Sequence, residues 1–241
     1  IEFDNFTMTE YICNIALGFI MFYGGFNTKW KTARPVAVKA VLLSTCGVIL
    51  TAAFTMLFCY FVLRFPIAES FLVGAVLSAT DAASVFAILR RKKLNLKDGV
   101  ASLLEIESGS NDPIAYMLTV IGIYILNGDN LIKVPYVIFA QIVYGVLIGI
   151  GLAVAAIYVL TRTDIIVNGL DTIFILAVVL LGLGLSQLVG GNEFLCIYLF
   201  GILLGNSRIR NKGNIVPFFD GVTTLAQIVI FFMLGLLSYP H

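Results

Sequence analysis

Charge is what this 241-residue chain has least of: Asp, Glu, Lys and Arg make up 12% of it, against 60% apolar residues and a mean hydropathy of +1.01. A soluble domain needs about a quarter of its residues charged to cover its surface, so the scarcity excludes a water-soluble enzyme. An excess of either sign is also missing. With 15 Lys+Arg against 14 Asp+Glu the formal charge is +1, which removes the basic field that a nucleic-acid partner would need. The single histidine is His241, which excludes a zinc-dependent membrane enzyme. Four cysteines, Cys13, Cys46, Cys59 and Cys196, sit in apolar runs without CxxC spacing and indicate neither a disulfide framework nor a thiolate metal site. No methionine, basic leader or cleavage site opens the chain at Ile1, and it stops just after an apolar run, so both ends read as cuts in something longer.

What the chain does have is apolar length. Runs long enough to meet lipid lie at residues 9 to 26, 36 to 63, 67 to 89, 100 to 126, 134 to 160, 171 to 189, 193 to 205 and 215 to 238. Crossing the hydrocarbon layer takes about 20 helical residues, so 193 to 205 is short and is expected to be tilted, broken or extended at its ends. Unbroken apolarity selects helices, because barrel strands alternate polar and apolar residues. The expected fold class is therefore all-α, a polytopic membrane protein. Pro35 and Pro66 are each expected to precede a run.

The loops orient it. If the loop after the first run is cytoplasmic, strict alternation puts Lys29, Lys31, Arg34, Arg90, Arg91, Lys92, Lys93, Lys97, Arg162, Arg208, Arg210 and Lys212 inside, twelve of the fifteen basic residues. Arg64 and Lys133 fall outside, and Lys39 lies at the inner end of the second run.

Against this background, buried carboxylates stand out. Asp81 lies deep in the third run, and Glu105, Glu107 and Asp112 with Asn111 crowd the inner half of the fourth. Asp at a membrane-helix centre costs about 2.5–3.5 kcal/mol even on lenient scales, so these groups must face protein, water or an ion. At 100° per residue Ala101, Glu105, Ser108, Asp112, Ala115 and Thr119 form one small or polar stripe, while Glu107 and Asn111 share another face one turn apart. Pro113 frees the Gly109 carbonyl and predicts a kink or loosened turn beside Asp112. Gly74, Ser78 and Asp81 share a face, whereas Thr80 joins them only if the backbone unwinds, as membrane-embedded ion sites allow. The structural alternatives are an ion pair for Asp112, a helix-end or hydrogen-bond role for Asp81, a structural role for Glu107, and an interfacial position for Glu105. Gly18, Gly24, Gly25, Gly182 and Gly184 read as close helix packing, and Asp220 and Gln227 as isolated polar positions without a role.

Ala79-Thr-Asp-Ala-Ala-Ser-Val-Phe86, followed by Glu107-Ser-Gly-Ser-Asn-Asp-Pro113, resembles the paired signature of the monovalent cation:proton antiporter-1 family, in its NhaP-type bacterial potassium or sodium/proton branch. Ala16 to Gly25 and Phe232 to Leu237 sit where that family's other recognisable segments lie. The resemblance implies a homodimeric, multi-pass protein of the cell inner membrane, with no cofactor, that exchanges potassium or sodium for protons and is not an enzyme. It implies about thirteen helices with a broken-helix core, of which this chain would cover the third to the tenth. Residues 1–35 would be the first helix of a dimerisation domain, 36–127 the first half of the ion-translocating core and 128–241 the remaining dimerisation helices, the second half of the core being absent. It also implies that cation and proton compete at Asp112, that Thr80 and Ser108 supply oxygen ligands and that Asp81 supports the helix unwinding. Glu107 with Asn111 would be a structural pair held by an Arg from a later helix. Tyr23 departs from the pattern, because many relatives carry an acidic residue there. The Asn-Asp pair resembles the electroneutral branch, and the fit of Glu-Ser-Gly-Ser-Asn-Asp favours potassium.

The residues alone suggest the same chemistry. A carboxylate shielded from bulk water must be neutralised, by a proton or by a cation, and competition for one charge is exchange. A cation channel would use the same carboxylates as pore lining. An intramembrane aspartyl protease would pair Asp81 with Asp112, but Asn111 stands where the known Gly-x-Gly-Asp motif has Gly.

Overall fold

The computed structural model describes residues 5–80, 100–128, 131–162, 170–209 and 212–238. Among them are eight α-helices, no strand, and a short 3-10 turn at Leu131–Lys133. The helices are α1 (Phe6–Asn27), α2 (Trp30–Phe61), α3 (Ile67–Val76), α4 (Val100–Leu126), α5 (Val134–Arg162), α6 (Asp171–Leu188), α7 (Glu193–Gly205) and α8 (Lys212–Leu237). Each falls on one expected apolar run, although α3 fills only the first ten residues of the run expected at 67 to 89, whose residues from 81 on lie outside the described ones; α1, α2, α5, α6 and α8 are long and apolar enough to cross a membrane. The chain is an all-α, multi-pass membrane protein.

Beyond the first helical turn, where Pro135 stands in α5, prolines lie inside helices at Pro35, Pro113 and Pro217. For Pro35 this corrects the expectation that it precedes its helix. α2 starts upstream, at Trp30, where the Thr32 and Ala33 amides bond the Lys29 carbonyl, so the polar stretch to Arg34 is already helical and the proline falls in the second turn. Pro66 does precede its helix, as the residue before Ile67 whose carbonyl accepts from the Ser70 amide. α4 continues through Pro113 without interruption.

The chain forms two compact units, Ile1–Asn27 with Val143–His241, and Thr28–Ile142. In the first, α1, α6, α7 and α8 pack together around Phe22, whose ring meets Phe26, Phe200 and Phe219 at centroid distances of 5.6, 5.3 and 4.7 Å. α7 explains its own brevity: most of its 13 residues lie in the interior, with Phe194, Cys196, Ile197, Tyr198, Phe200, Gly201 and Leu204 buried and Leu203 exposed. A helix apolar on every side belongs in a protein interior. Asn192 caps it, its Oδ1 accepting from the Leu195 amide at 2.9 Å.

Glycines set the distance between these helices. A β-carbon on Gly25 would meet the Tyr198 carbonyl, one on Gly201 the Phe22 carbonyl and one on Gly205 the Phe26 carbonyl. On α5, a β-carbon at Gly149 would stand 2.6 Å from the Cys196 carbonyl oxygen. Backbones this close are how membrane helices gain packing energy when lipid offers no hydrophobic drive. The packing expected for Gly18 and Gly182 holds, against Leu183 and Ile197, but Gly24 and Gly184 face open space, because they point away from the neighbouring helices.

In the second unit α2, α3 and α4 pack on one another through small residues. Gly74 of α3 lies against the Ala52 carbonyl of α2, and Ala33, Ala40 and Ile106 form a buried cluster between α2 and α4. The outer face of α2 exposes Val38, Leu42, Phe54 and Phe61, side chains whose solvent is lipid.

Candidate functional site

The site is built where α3 stops. α3 ends after 10 residues at Val76, the Leu77 amide bonding the Val73 carbonyl and the Ser78 hydroxyl donating to the Ala75 carbonyl at 2.6 Å. Ala79 and Thr80 continue in non-helical backbone. This is the unwinding that Thr80 needs, since a residue outside a helix offers both its carbonyl and its hydroxyl sideways.

α4 receives both. The Ser108 hydroxyl donates to the Thr80 carbonyl at 3.1 Å. The Thr80 hydroxyl lies 3.4 and 3.5 Å from the two Glu107 carboxylate oxygens and accepts a close hydrogen bond from the Asn111 amide. That amide also donates to Glu107 Oε1 at 3.3 Å, the one-turn relation expected of the two residues. Glu107 is half-buried, Ser108 is buried and Asn111 is fully buried. Among the described residues Asn111 Oδ1 has no hydrogen-bond partner, a deficit of about 1–3 kcal/mol that a donor or a cation placed there would relieve.

Thr80, Glu107, Ser108 and Asn111 thus meet in one hydrogen-bonded group. Asp112 is half-buried one turn beyond Ser108 on the same helix face. Asp81, the residue after Thr80, lies outside the described residues, and so does the side chain of Glu105. All the groups that converge are hard oxygen or amide donors, chemistry suited to an alkali cation or a proton rather than to a soft metal. Among the described residues no cluster of three His, Cys, Asp or Glu could hold a multivalent metal.

One pairing was not visible in the sequence. The Tyr23 hydroxyl of α1 donates to Asp220 Oδ1 of α8 at 2.9 Å, across 197 residues of chain. The only signal was that each is an oddity in its own helix, Asp220 as a carboxylate in an apolar run.

Residues 1–240 match the family profile described as the transmembrane sodium/hydrogen exchanger. The chain is 35% identical over 244 residues to the K(+)/H(+) antiporter NhaP2 of Shewanella sp. strain ANA-3, and 36% identical over 242 residues to the K(+)/H(+) antiporter NhaP of Alkalimonas amylolytica. In both comparisons all of this chain aligns, and it spans 42% of the relative's length. Its fold is similar to that of the sodium proton antiporter MjNhaP1 from Methanocaldococcus jannaschii, with a TM-score of 0.77 at 24% identity over 96% of this chain and 57% of that one.

Proposed function

The chain belongs to the transmembrane sodium/hydrogen exchanger family, and on that premise we propose that it is the part of a monovalent cation/proton antiporter that binds the transported ions. Potassium or sodium and the proton compete for Asp112, one cation for one proton, in a homodimeric protein of the cell inner membrane. The observation that carries this reading is the docking of the non-helical Thr80 backbone on α4, its carbonyl held by Ser108 and its hydroxyl by Asn111 and Glu107, beside the Asp112 face. In this reading Thr80 and Ser108 turn oxygens toward a dehydrated cation at Asp112, Asp81 supports the helix unwinding, and Glu107 with Asn111 keeps Thr80 in place. The compact unit Thr28–Ile142 contains the whole group and is assigned to the moving core, and the remaining helices to the stationary, dimer-forming part. Potassium is the preferred cation, in line with what the two bacterial relatives are named for.

The test uses the full-length protein in proteoliposomes under an imposed pH gradient, recording proton movement on addition of potassium, sodium or lithium with the voltage clamped. Cation-stimulated proton flux in the wild type, lost in Asp112→Asn, is the expected result. Cation flux without proton coupling would instead make the protein a channel, and exchange that survives in Asp112→Asn would move the binding site elsewhere.

A further inference from the structure

α3 stops without a breaker. No glycine or proline stands between Ala75 and Thr80, and Val76, Leu77, Ser78 and Ala79 are residues through which a helix in an apolar run ordinarily continues. In a continuing helix the Ala79 amide would bond the Ala75 carbonyl, four residues back. That carbonyl is already taken, by the Ser78 hydroxyl at 2.6 Å and by the Ser78 amide at 3.3 Å. Among the described residues no backbone hydrogen bond joins the Ala79 or Thr80 amide to α3.

α2 holds Ser78 where it can do this. Ser70, Gly74 and Ser78 recur every fourth residue, so they share one face of α3 and of the turn that follows it, and all three are buried. This face lies on α2: a β-carbon on Gly74 would run into the Ala52 carbonyl and stand 3.2 Å from the Met56 nitrogen. At 3% exposure the Ser78 hydroxyl has almost no access to water, and a buried hydroxyl needs an acceptor. It finds one in its own chain, where a serine that bonds a carbonyl three residues back competes with the helical ladder. Such a bond does not end a helix by itself, since Ser44 makes it to the Val41 carbonyl at 3.0 Å in the middle of α2. At Ala75 two things differ: the Ser78 amide has tightened on to the same carbonyl, and α4 offers Thr80 another set of partners.

We propose that Ser78 is a positioning residue for the ion site. The α2–α3 seam buries its hydroxyl, the hydroxyl occupies the Ala75 carbonyl, and α3 therefore ends short of Thr80. Thr80 is left free to present its carbonyl to Ser108 and its hydroxyl to Asn111 and Glu107. The helix stop rests on these hydrogen bonds alone; its effect on transported ions rests on the exchanger reading.

Two readouts on the full-length protein test it. In Ser78→Ala, hydrogen exchange at the Ala79 and Thr80 amides should slow about tenfold, as both gain acceptors in a lengthened helix. In proteoliposomes the same substitution should raise the KM for potassium about fivefold, the worth of one hydrogen bond, with the maximal rate within about twofold of wild type. Ser78→Cys, which fills the same space with a weak donor, should match Ser78→Ala on both readouts. Ser44→Ala, which removes the corresponding bond inside α2, should move neither. Unchanged amide exchange at residues 79–80 in Ser78→Ala overturns the proposal, and so does slowed amide exchange with a wild-type KM. Wild-type behaviour of Ser78→Cys would reduce the side chain to a filler, and equal effects of Ser44→Ala would reduce it to one buried hydroxyl among others; either result also overturns it. If the wild type transports no cation against protons, the exchanger reading fails alone, and amide exchange in Ser78→Ala still decides what stops α3.

Discussion

Asn111 and Ser108 both hold Thr80, one by its hydroxyl and the other by its carbonyl, and their loss should be separable. Ser108 contributes one hydroxyl to the Thr80 carbonyl and shares the Asp112 face. Ser108→Ala should therefore act on the ion: the KM for potassium rises about fivefold, the value of one hydrogen bond or ligand near 1 kcal/mol, and thermal stability is nearly unchanged. Asn111 is fully buried and its amide joins Thr80 to the half-buried Glu107. Asn111→Ala removes the partner of a carboxylate, so it should lower stability by about 1–3 kcal/mol, read as a drop in the melting temperature of the detergent-solubilised protein. Equal effects of the two substitutions on KM and on melting would dissolve the division between ligand and support. Both contacts follow from residue types that the sequence displays, but the pairing with Thr80 depends on a helix end that it does not.

At the level of elements, glycines decide how closely α5, α7 and α1 approach. Gly149 faces the Cys196 carbonyl, so a methyl group there must push α5 and α7 apart. Gly149→Ala should cost about 1–3 kcal/mol, as overpacking does, whereas Gly184→Ala, directed into open space, should be neutral or gain about 0.5–1 kcal/mol from reduced backbone freedom. Melting curves of the two variants side by side check this, and equal losses would mean that the helices are not set by backbone contact. In the sequence these glycines look alike. Gly182 and Gly184 differ only in direction, and direction needs the neighbouring helix.

For the molecule as a whole, the proposed competition at Asp112 makes a pH prediction with a definite sign. If a proton on Asp112 excludes the cation, the KM for potassium should rise as pH falls, by about tenfold per unit on the acid limb, while the rate at saturating potassium stays level. A KM independent of pH, with a rate that falls instead, would indicate that proton and cation bind separately. The two compact units lead to a second expectation. Potassium should slow amide hydrogen exchange at residues 77–80 and 105–113, inside Thr28–Ile142, and leave the buried helix α7 unaffected. Protection spread evenly over both units would argue against a localised binding group.

Hydropathy by itself determined that the chain is helical, that it lies in a membrane, and roughly where the helices of the described residues run, α3 excepted, because lipid forces each backbone to satisfy its own hydrogen bonds within one apolar segment. It also singled out Glu107, Asn111 and Asp112, since carboxylates are costly there and helical spacing is local. Only the tertiary structure decided that α3 stops at Val76, that Thr80 reaches Glu107, Ser108 and Asn111, and that Tyr23 meets Asp220. Those contacts join residues 27 to 197 positions apart, and which atoms meet depends on how closely and at what rotation neighbouring helices pack.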